Sequence, residues 1–325
     1  MKVFLAAGAV LWPLCQAASA TEFRFASKEE AAAILTADDD FLTRLRPAEI
    51  SVRLMSEETT SLSALKAQYA AGTLAWNDQE RSFLSQAVEA FRPAFEKYAP
   101  LAPAEILFIK GDDLIDGGLP HTRANAIFFS ESFLRGLMES EKKDEEAAYF
   151  LLHEYFHVVS REQEARLDEM LALIGFRPCD LEVPASLSAL HLTNPDAPTD
   201  RHYAPAGIDG ADGVVPYLYV DEGGWSAEKG GSLSKYFNFG LLAVDVSNGA
   251  CVADLDAEGA PRLLSPDETP GFWDTVGRNT NYIIHPAEIL ADTFVFLVTD
   301  KKDLPNPEIV AKLSDWLDGA LGAPE

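Results

Sequence analysis

The segment 147–159 reads AAYFLLHEYFHVV and constrains the fold more than any other stretch of the chain. It is apolar on nearly all sides of a helix, yet it carries two histidines and a glutamate. Residues four apart lie one helical turn above each other, so His153 and His157 point the same way, while Glu154 is rotated by about 100°. Burying such a group alone is costly. The segment therefore predicts a buried helix whose histidines share a partner.

A metal ion is the partner that this spacing favours. Two neutral imidazoles one turn apart can bind one ion, and the adjacent Glu154 can reach a water on that ion. The alternative is a buried helix in which His153 and His157 are only hydrogen-bonded. Two imidazoles do not complete a metal site, so the metal hypothesis requires a further ligand elsewhere in the sequence.

The further ligand is expected far downstream. A third histidine at close spacing is absent, because Gln163 stands six residues after His157 and no glycine turn follows. The stretch HPAEILAD instead places Glu288 and Asp292 four residues apart on a second predicted helix. One of these carboxylates can bind the metal while the other accepts the free ring N–H of a ligating histidine.

Together the two motifs resemble the gluzincin class of zinc peptidases, the thermolysin-like group, whose sites combine HExxH with a later ExxxD. The resemblance covers roughly residues 120–298. It implies peptide hydrolysis by a zinc-activated water, with Glu154 as the general base. It also implies that the Zn²⁺ ligands are His153, His157 and Glu288, and that Asp292 is the hydrogen-bond partner of His153.

The resemblance also implies a place for the substrate. Such enzymes bind an extended peptide along the edge strand of a sheet that precedes the metal helix. The short apolar run before the predicted metal helix resembles that strand, and its residues are Asn125, Ala126, Ile127 and Phe128.

One departure from the family concerns the oxyanion. Thermolysin-like enzymes use a histidine after the third-ligand helix, but this chain has neither His nor Tyr from Thr293 to its last residue. Tyr282 and His285, just before Glu288, are the candidates. Tyr282 is favoured because a neutral phenol donates a hydrogen bond across the working pH range, whereas His285 is well placed to cap the helix. The rivals from the middle of the chain are His202 and Tyr203.

The N-terminus predicts export. Residues 1–20 carry one lysine, an apolar run that ends at Pro13, and small residues at Ala18 and Ala20. This pattern is typical of a cleaved signal peptide, and the run is too short to span a membrane. We therefore expect a periplasmic or secreted protein with no membrane span after cleavage. Two cysteines then remain, Cys179 and Cys251, either as a disulfide or as two buried thiols.

The rest of the chain predicts an α+β protein with a zincin-like metallopeptidase domain. Residues 21–100 are expected to be mainly helical, and residues 101–325 to form the catalytic domain, with a loop-rich insertion at about 176–278. Within that insertion, Asn248-Gly249 predicts a hairpin. The stretch TNPDAP, residues 193–198, is predicted to be an ordinary turn rather than a cation-binding loop.

The net charge and the types of the candidate ligands limit the partners and functions that we expect for this chain. The formal net charge of −26 argues against nucleic acid or an anionic membrane surface as a partner. A protein or peptide substrate is expected. One alternative is a secreted binding or scaffold protein with a structural zinc, although structural sites are usually closed and rich in thiolates. The other is a zinc hydrolase that acts on a non-peptide substrate, which the motif itself does not exclude.

Overall fold

The computed structural model describes residues 21–58 and 61–322. The predicted signal peptide, residues 1–20, lies outside this described part of the chain. Helices and sheets are mixed along the sequence, in agreement with the predicted combination of α and β structure. Among the described residues, no helix has the length and apolar character needed to cross a membrane.

The described residues form thirteen α-helices and eleven β-strands. The α-helices are α1 (Lys28–Leu35), α2 (Asp40–Arg44), α3 (Pro47–Leu54), α4 (Leu62–Gly72), α5 (Asp78–Ala90), α6 (Arg92–Tyr98), α7 (Glu131–Glu139), α8 (Lys143–Glu162), α9 (Leu167–Ala172), α10 (Ala185–Ser188), α11 (Pro270–Val276), α12 (Pro286–Val298) and α13 (Pro307–Leu321). The strands are β1 (Glu22–Phe25), β2 (Glu105–Gly111), β3 (His121–Arg123), β4 (Ala126–Ser130), β5 (Arg177–Pro178), β6 (Asp180–Glu182), β7 (His202–Pro205), β8 (Gly213–Tyr219), β9 (Asn238–Ser247), β10 (Ala250–Ala253) and β11 (Leu263–Leu264).

The first sheet has the order β1-β2-β4-β3 and carries α8 on one face. Strands β1, β2 and β4 are parallel, and β3 runs antiparallel to β4. Successive residues of β2 face opposite cores: Ile106 and Phe108 pack toward α8 and α12, whereas Leu107 and Ile109 pack toward α1–α4. Strands that are buried on both faces need apolar residues at successive positions, and β2 has them from Ile106 to Ile109.

The prediction that the strand from Asn125 to Phe128 lies at the sheet edge is wrong. Strand β4 lies between β2 and β3, with Ile127 opposite both Phe108 and Thr122. Asn125 precedes β4. The edge belongs to β3, which has only three residues. The physical reason is visible in the sequence: an unbroken apolar run suits an interior strand, whereas edge strands tend to be short and polar.

The middle of the chain forms a second sheet rather than mainly loops. Its order is β5-β7-β8-β9-β10-β6, and β11 pairs with β9. The predicted hairpin is confirmed: Asn248 and Gly249 join β9 to β10 with φ values of 51° and 86°. Two consecutive positive φ angles are what a two-residue type I′ turn needs, and Asn-Gly tolerates them best.

A disulfide joins Cys179 to Cys251 across this second sheet. Both cysteines are buried in the core that the sheet forms with Leu187 and Tyr217. The sequence left open whether these residues would be bridged, because it does not show that they are close. Cys179 lies between β5 and β6, and Cys251 lies on β10, the strand that pairs with β6.

The disulfide leads to a first prediction. Reduction should raise the intact mass by about 2 Da, because two thiols are formed. The closed loop spans 72 residues, so in the chain-entropy description its loss removes roughly 4 kcal/mol of stability. Replacing both Cys179 and Cys251 with serine should therefore lower Tm, measured by calorimetry. An unchanged mass after reduction would show that the thiols are free.

Candidate metal centre

Helices α8 and α12 bring the predicted ligands together. His153 Nε2 and His157 Nε2 lie 3.0 and 3.1 Å from Glu288 Oε2, and 3.1 Å from each other. All three residues are buried. Pro286 in the first turn of α12 fixes the start of that helix, so Glu288 faces α8 from its first turn. The two motifs therefore converge on one point between two packed helices.

Asp292 fixes the orientation of His153. Asp292 Oδ1 lies 3.0 Å from His153 Nδ1, one turn along α12 from Glu288. The same carboxylate accepts the hydroxyl hydrogens of Tyr149 and Thr280. Because Nδ1 donates to Asp292, the Nε2 atom of His153 is directed toward Glu288 and His157. The partner predicted for His153 is thus in place.

The three ligand atoms fit a divalent cation. A tetrahedral zinc site with bonds of about 2.0–2.2 Å has ligand atoms about 3.3–3.6 Å apart. The observed separations of 3.0–3.1 Å lie just below this range. The two ring nitrogens also lie 3.1 Å from each other, so protons on both would face one another, and one shared cation removes that conflict. The donor set of two imidazoles and one carboxylate is one that Zn²⁺ accepts.

The electrostatics of the group agree with cation binding. Burial alone would raise the pKa of Glu288, but the facing charges and hydrogen bonds of His157 and His153 hold it well below its usual value. Burial opposes the charged form of His153, yet Asp292 and Glu288 together raise its pKa well above the usual value. The carboxylate is therefore ionised, and the site as a whole attracts positive charge.

Glu154 stands beside this group without joining it. Its side chain is buried, and Oε2 has no hydrogen-bond partner among the described residues. Burial, and next the negative charge of Asp196, raise the pKa of Glu154 to about 8. A carboxyl group with this pKa can take up and give away a proton near neutral pH.

A cavity of about 400 Å³ opens in front of His153 and Glu154. Its lining includes Arg53 and Asp116, which form a buried ion pair. Much of the wall is apolar, and its large apolar residues include Leu119, Phe133, Phe150, Leu218, Leu233 and Phe237. A mostly apolar pocket with a few convergent polar groups is the usual form of a binding site.

The two oxyanion candidates lie in different places. Tyr282 lines the cavity, and its ring centroid is 5.8 Å from that of His153. The residue is 43% exposed, but burial of its hydroxyl end, and then the charge of Glu288, raise the pKa of the phenol well above 10. His285 caps α12: its Nδ1 accepts from Ala287 N at 3.1 Å, and its Nε2 donates to a carbonyl at 3.2 Å. Its placement supports the capping role.

His153, His157 and Glu288 are here called the metal group. The rival candidates from the middle of the chain lie away from this group. His202 Nε2 lies 2.8 Å from Asp168 Oδ1, outside the cavity. Tyr203 packs in the core of the second sheet. Of the four residues considered for the oxyanion, Tyr282 alone lines the cavity that contains His153 and Glu154.

Sequence reasoning missed one part of the site. Residues 193–199, here called the strap, run past the metal group, although 193–198 was expected to be an ordinary turn. Asn194 Nδ2 donates to Glu288 Oε1 at 2.7 Å, while Asn194 Oδ1 accepts from Asp196 N at 3.0 Å. The amide thus occupies one oxygen of Glu288 and leaves the other facing the histidines. Only turn-forming residues mark the strap in the sequence, so no local signal could have shown its position.

No family model, curated protein or solved structure matches the chain.

The contact of Asn194 with Glu288 leads to a second prediction. Asn194→Ala should weaken zinc binding by about 10- to 100-fold, because partners that orient a ligand typically contribute that much. Competition with a chromogenic chelator measures the affinity. Asn238→Ala serves as the matched control, since this asparagine donates to Asp221. Equal zinc affinity in the two variants would show that Asn194 does not position the ligand.

Proposed function

We propose that this protein is a zinc-dependent metallopeptidase of gluzincin type, with a zincin-like fold around its metal helices. One observation carries the proposal: His153, His157 and Glu288 offer ligand atoms within 4.8 Å of one another, from two helices that are distant in sequence. A free carboxylate, Glu154, lies on the neighbouring position of the same helix. This is the arrangement that metal-assisted hydrolysis needs.

Each residue has a separate task in this proposal. Bound by His153, His157 and Glu288, Zn²⁺ would supply Lewis acidity that polarises a substrate carbonyl and lowers the pKa of water. Glu154 accepts a proton at Oε2 and returns it to the leaving amine. Asp292 holds the ring of His153. Each of these tasks follows from a contact or from a lack of one in the described site.

Tyr282 is the proposed oxyanion donor. Because the pKa of its phenol is raised by burial and by Glu288, the hydroxyl keeps its proton at working pH. A protonated phenol at the cavity wall can donate to an oxygen on which negative charge develops. This assigns to Tyr282 the role that a downstream histidine has in thermolysin-like enzymes.

The ligand types favour an enzyme over a structural zinc protein. Structural zinc sites are usually closed by four ligands and rich in thiolates. Here the disulfide occupies both cysteines of the described chain, Cys179 and Cys251. Three nitrogen and oxygen ligands beside a cavity leave a position open for water and substrate. The same disulfide supports the proposal that the protein is exported to the periplasm or secreted.

A third prediction separates the base from the ligands. Glu154→Gln should keep its zinc and lose most turnover, because the side chain moves a proton and does not bind the metal. Glu288→Ala should lose zinc instead. Metal content by mass spectrometry and hydrolysis of a peptide library give the two readouts. The proposal fails if Glu154→Gln is fully active, or if the parent protein binds no zinc.

A fourth prediction concerns the oxyanion. Tyr282→Phe removes only the hydroxyl, so we expect kcat to fall by ~10²-fold with zinc content and Tm unchanged. Tyr219→Phe, a tyrosine of β8 that does not line the cavity, is the matched control. Full activity of the Tyr282 variant would remove this residue from the mechanism.

A further inference from the structure

The strap closes the edge strand against an extended peptide. Asp196 Oδ1 accepts hydrogen bonds from the backbone N and the side-chain Oγ1 of Thr122, both at 2.6 Å. Thr122 is the central residue of β3, and its N–H points away from the sheet. A peptide that adds as a further strand needs outward-facing N–H groups of this kind. The N–H of Thr122 already donates to Asp196, so it is not available to such a peptide.

The strap is a fixed wall, because it is held along its length. At one end, Glu49 accepts from Thr193 N at 2.8 Å, and Arg53 donates to Thr193 O at 2.9 Å. At the other end, His285 donates to Thr199 O at 3.2 Å. These anchoring side chains are buried. Groups that are paired away from water are costly to separate, so the strap stays in place when substrate arrives.

The carboxylate of Asp196 faces the metal group, and the neighbouring Arg161 donates to the backbone oxygen of Asp196 at 3.3 Å rather than to this carboxylate. The carboxylate's ligand atom lies within 4.8 Å of those of Glu154 and His157. It forms no ion pair in the part of the chain that the structure describes. Glu154 Oε2, which is buried, lacks a donor there. Thr122 donates only to Oδ1 of Asp196, so the second carboxylate oxygen is left to accept from a group that brings positive charge and several N–H bonds.

We infer that the site takes the free amino end of a peptide and releases its first residue. The terminal ammonium pairs with Asp196, and the first side chain enters the apolar cavity next to His153. Water adds to the carbonyl carbon of the first residue, and the C–N bond breaks. The proton that Glu154 takes passes to the leaving amine, so an amino acid and a shortened peptide are formed. This inference rests on the proposed metallopeptidase function.

Two observations give the inference its substrate class. The strap blocks the groove at Asp196, so no further residue can precede the first one. The cavity wall is mainly apolar, and the charged side chains of Arg53 and Asp116 in its lining are already paired with each other. Such a cavity favours a large apolar first side chain, because its burial releases ordered water without leaving a polar group unpaired.

The test uses the zinc-loaded full-length protein and one octapeptide that begins with leucine. The peptide is offered with a free amino end, with an acetylated amino end, and with an amidated carboxyl end. Acetylation should lower kcat/KM by about 10²-fold, since it removes a charge that is paired in a water-poor site. Amidation should change it little. Mass spectrometry of the products should show free leucine.

Asp196→Asn tests the residue itself. An amide oxygen still accepts from Thr122, so the strap keeps its position while the charge is lost. The variant should hydrolyse the free-amine peptide about 10²-fold less efficiently, mainly through KM, with unchanged zinc affinity. Asp209→Asn, an exposed aspartate of the same middle region, should behave as the parent does. Loss of zinc affinity in Asp196→Asn would make Asp196 a metal ligand and overturn the inference.

A binding measurement distinguishes a failure of the inference about the amino end from a failure of the metallopeptidase proposal. Zinc-loaded Glu154→Gln, which should not turn over, is titrated with the free and the acetylated peptide by calorimetry. About 10²-fold tighter binding of the free-amine peptide supports the inference. Internal cleavage of the acetylated peptide by the parent would overturn the inference and leave the metallopeptidase proposal standing. If the parent hydrolyses no peptide at all, both proposals fail.

Discussion

The contact of Glu288 with His153 and His157 places a carboxylate and two imidazoles between two apolar helices. Each of these groups would be costly to bury alone, so the surrounding structure must provide partners for them. Asp292 provides one for His153, and Asn194 provides one for the outer oxygen of Glu288. Packing of α8 against α12, the position of the strap and the orientation of the rings all follow from this single requirement.

Much of the fold could be predicted because its signals are local. Pro286 and Pro307 stand in the first turns of α12 and α13, where proline is typical of a helix start. Ser27 and Glu30, three residues apart, have the spacing of a capping box, and they form one at the start of α1. Strand β1 was missed in a stretch expected to be helical, because its four residues depend on pairing with β2. Pairing partners are not encoded in the strand itself.

The residues of the candidate site also fall into two kinds: some are marked by local spacing in the sequence, and others are joined only by contacts between distant residues. The face shared by His153 and His157 follows from helical spacing, and the spacing of Glu288 and Asp292 follows in the same way. Asn194 could not be found, because its contact with Glu288 joins residues 94 positions apart and no periodic pattern leads to it. The edge strand was misplaced because an apolar run shows burial but not which neighbours cause it.

The ligands of the proposed centre also determine when it can form. His153 and Glu288 are 135 residues apart, and most of the second sheet lies between them in sequence. Contacts between such distant residues form late, since the loop-closure entropy of the chain must be overcome first. A chain that has not yet been synthesised as far as Glu288 has the two histidines but no third ligand. The proposed metal centre is therefore incomplete in such a nascent chain, and the proposed activity would begin only after the middle of the chain has been made and folded.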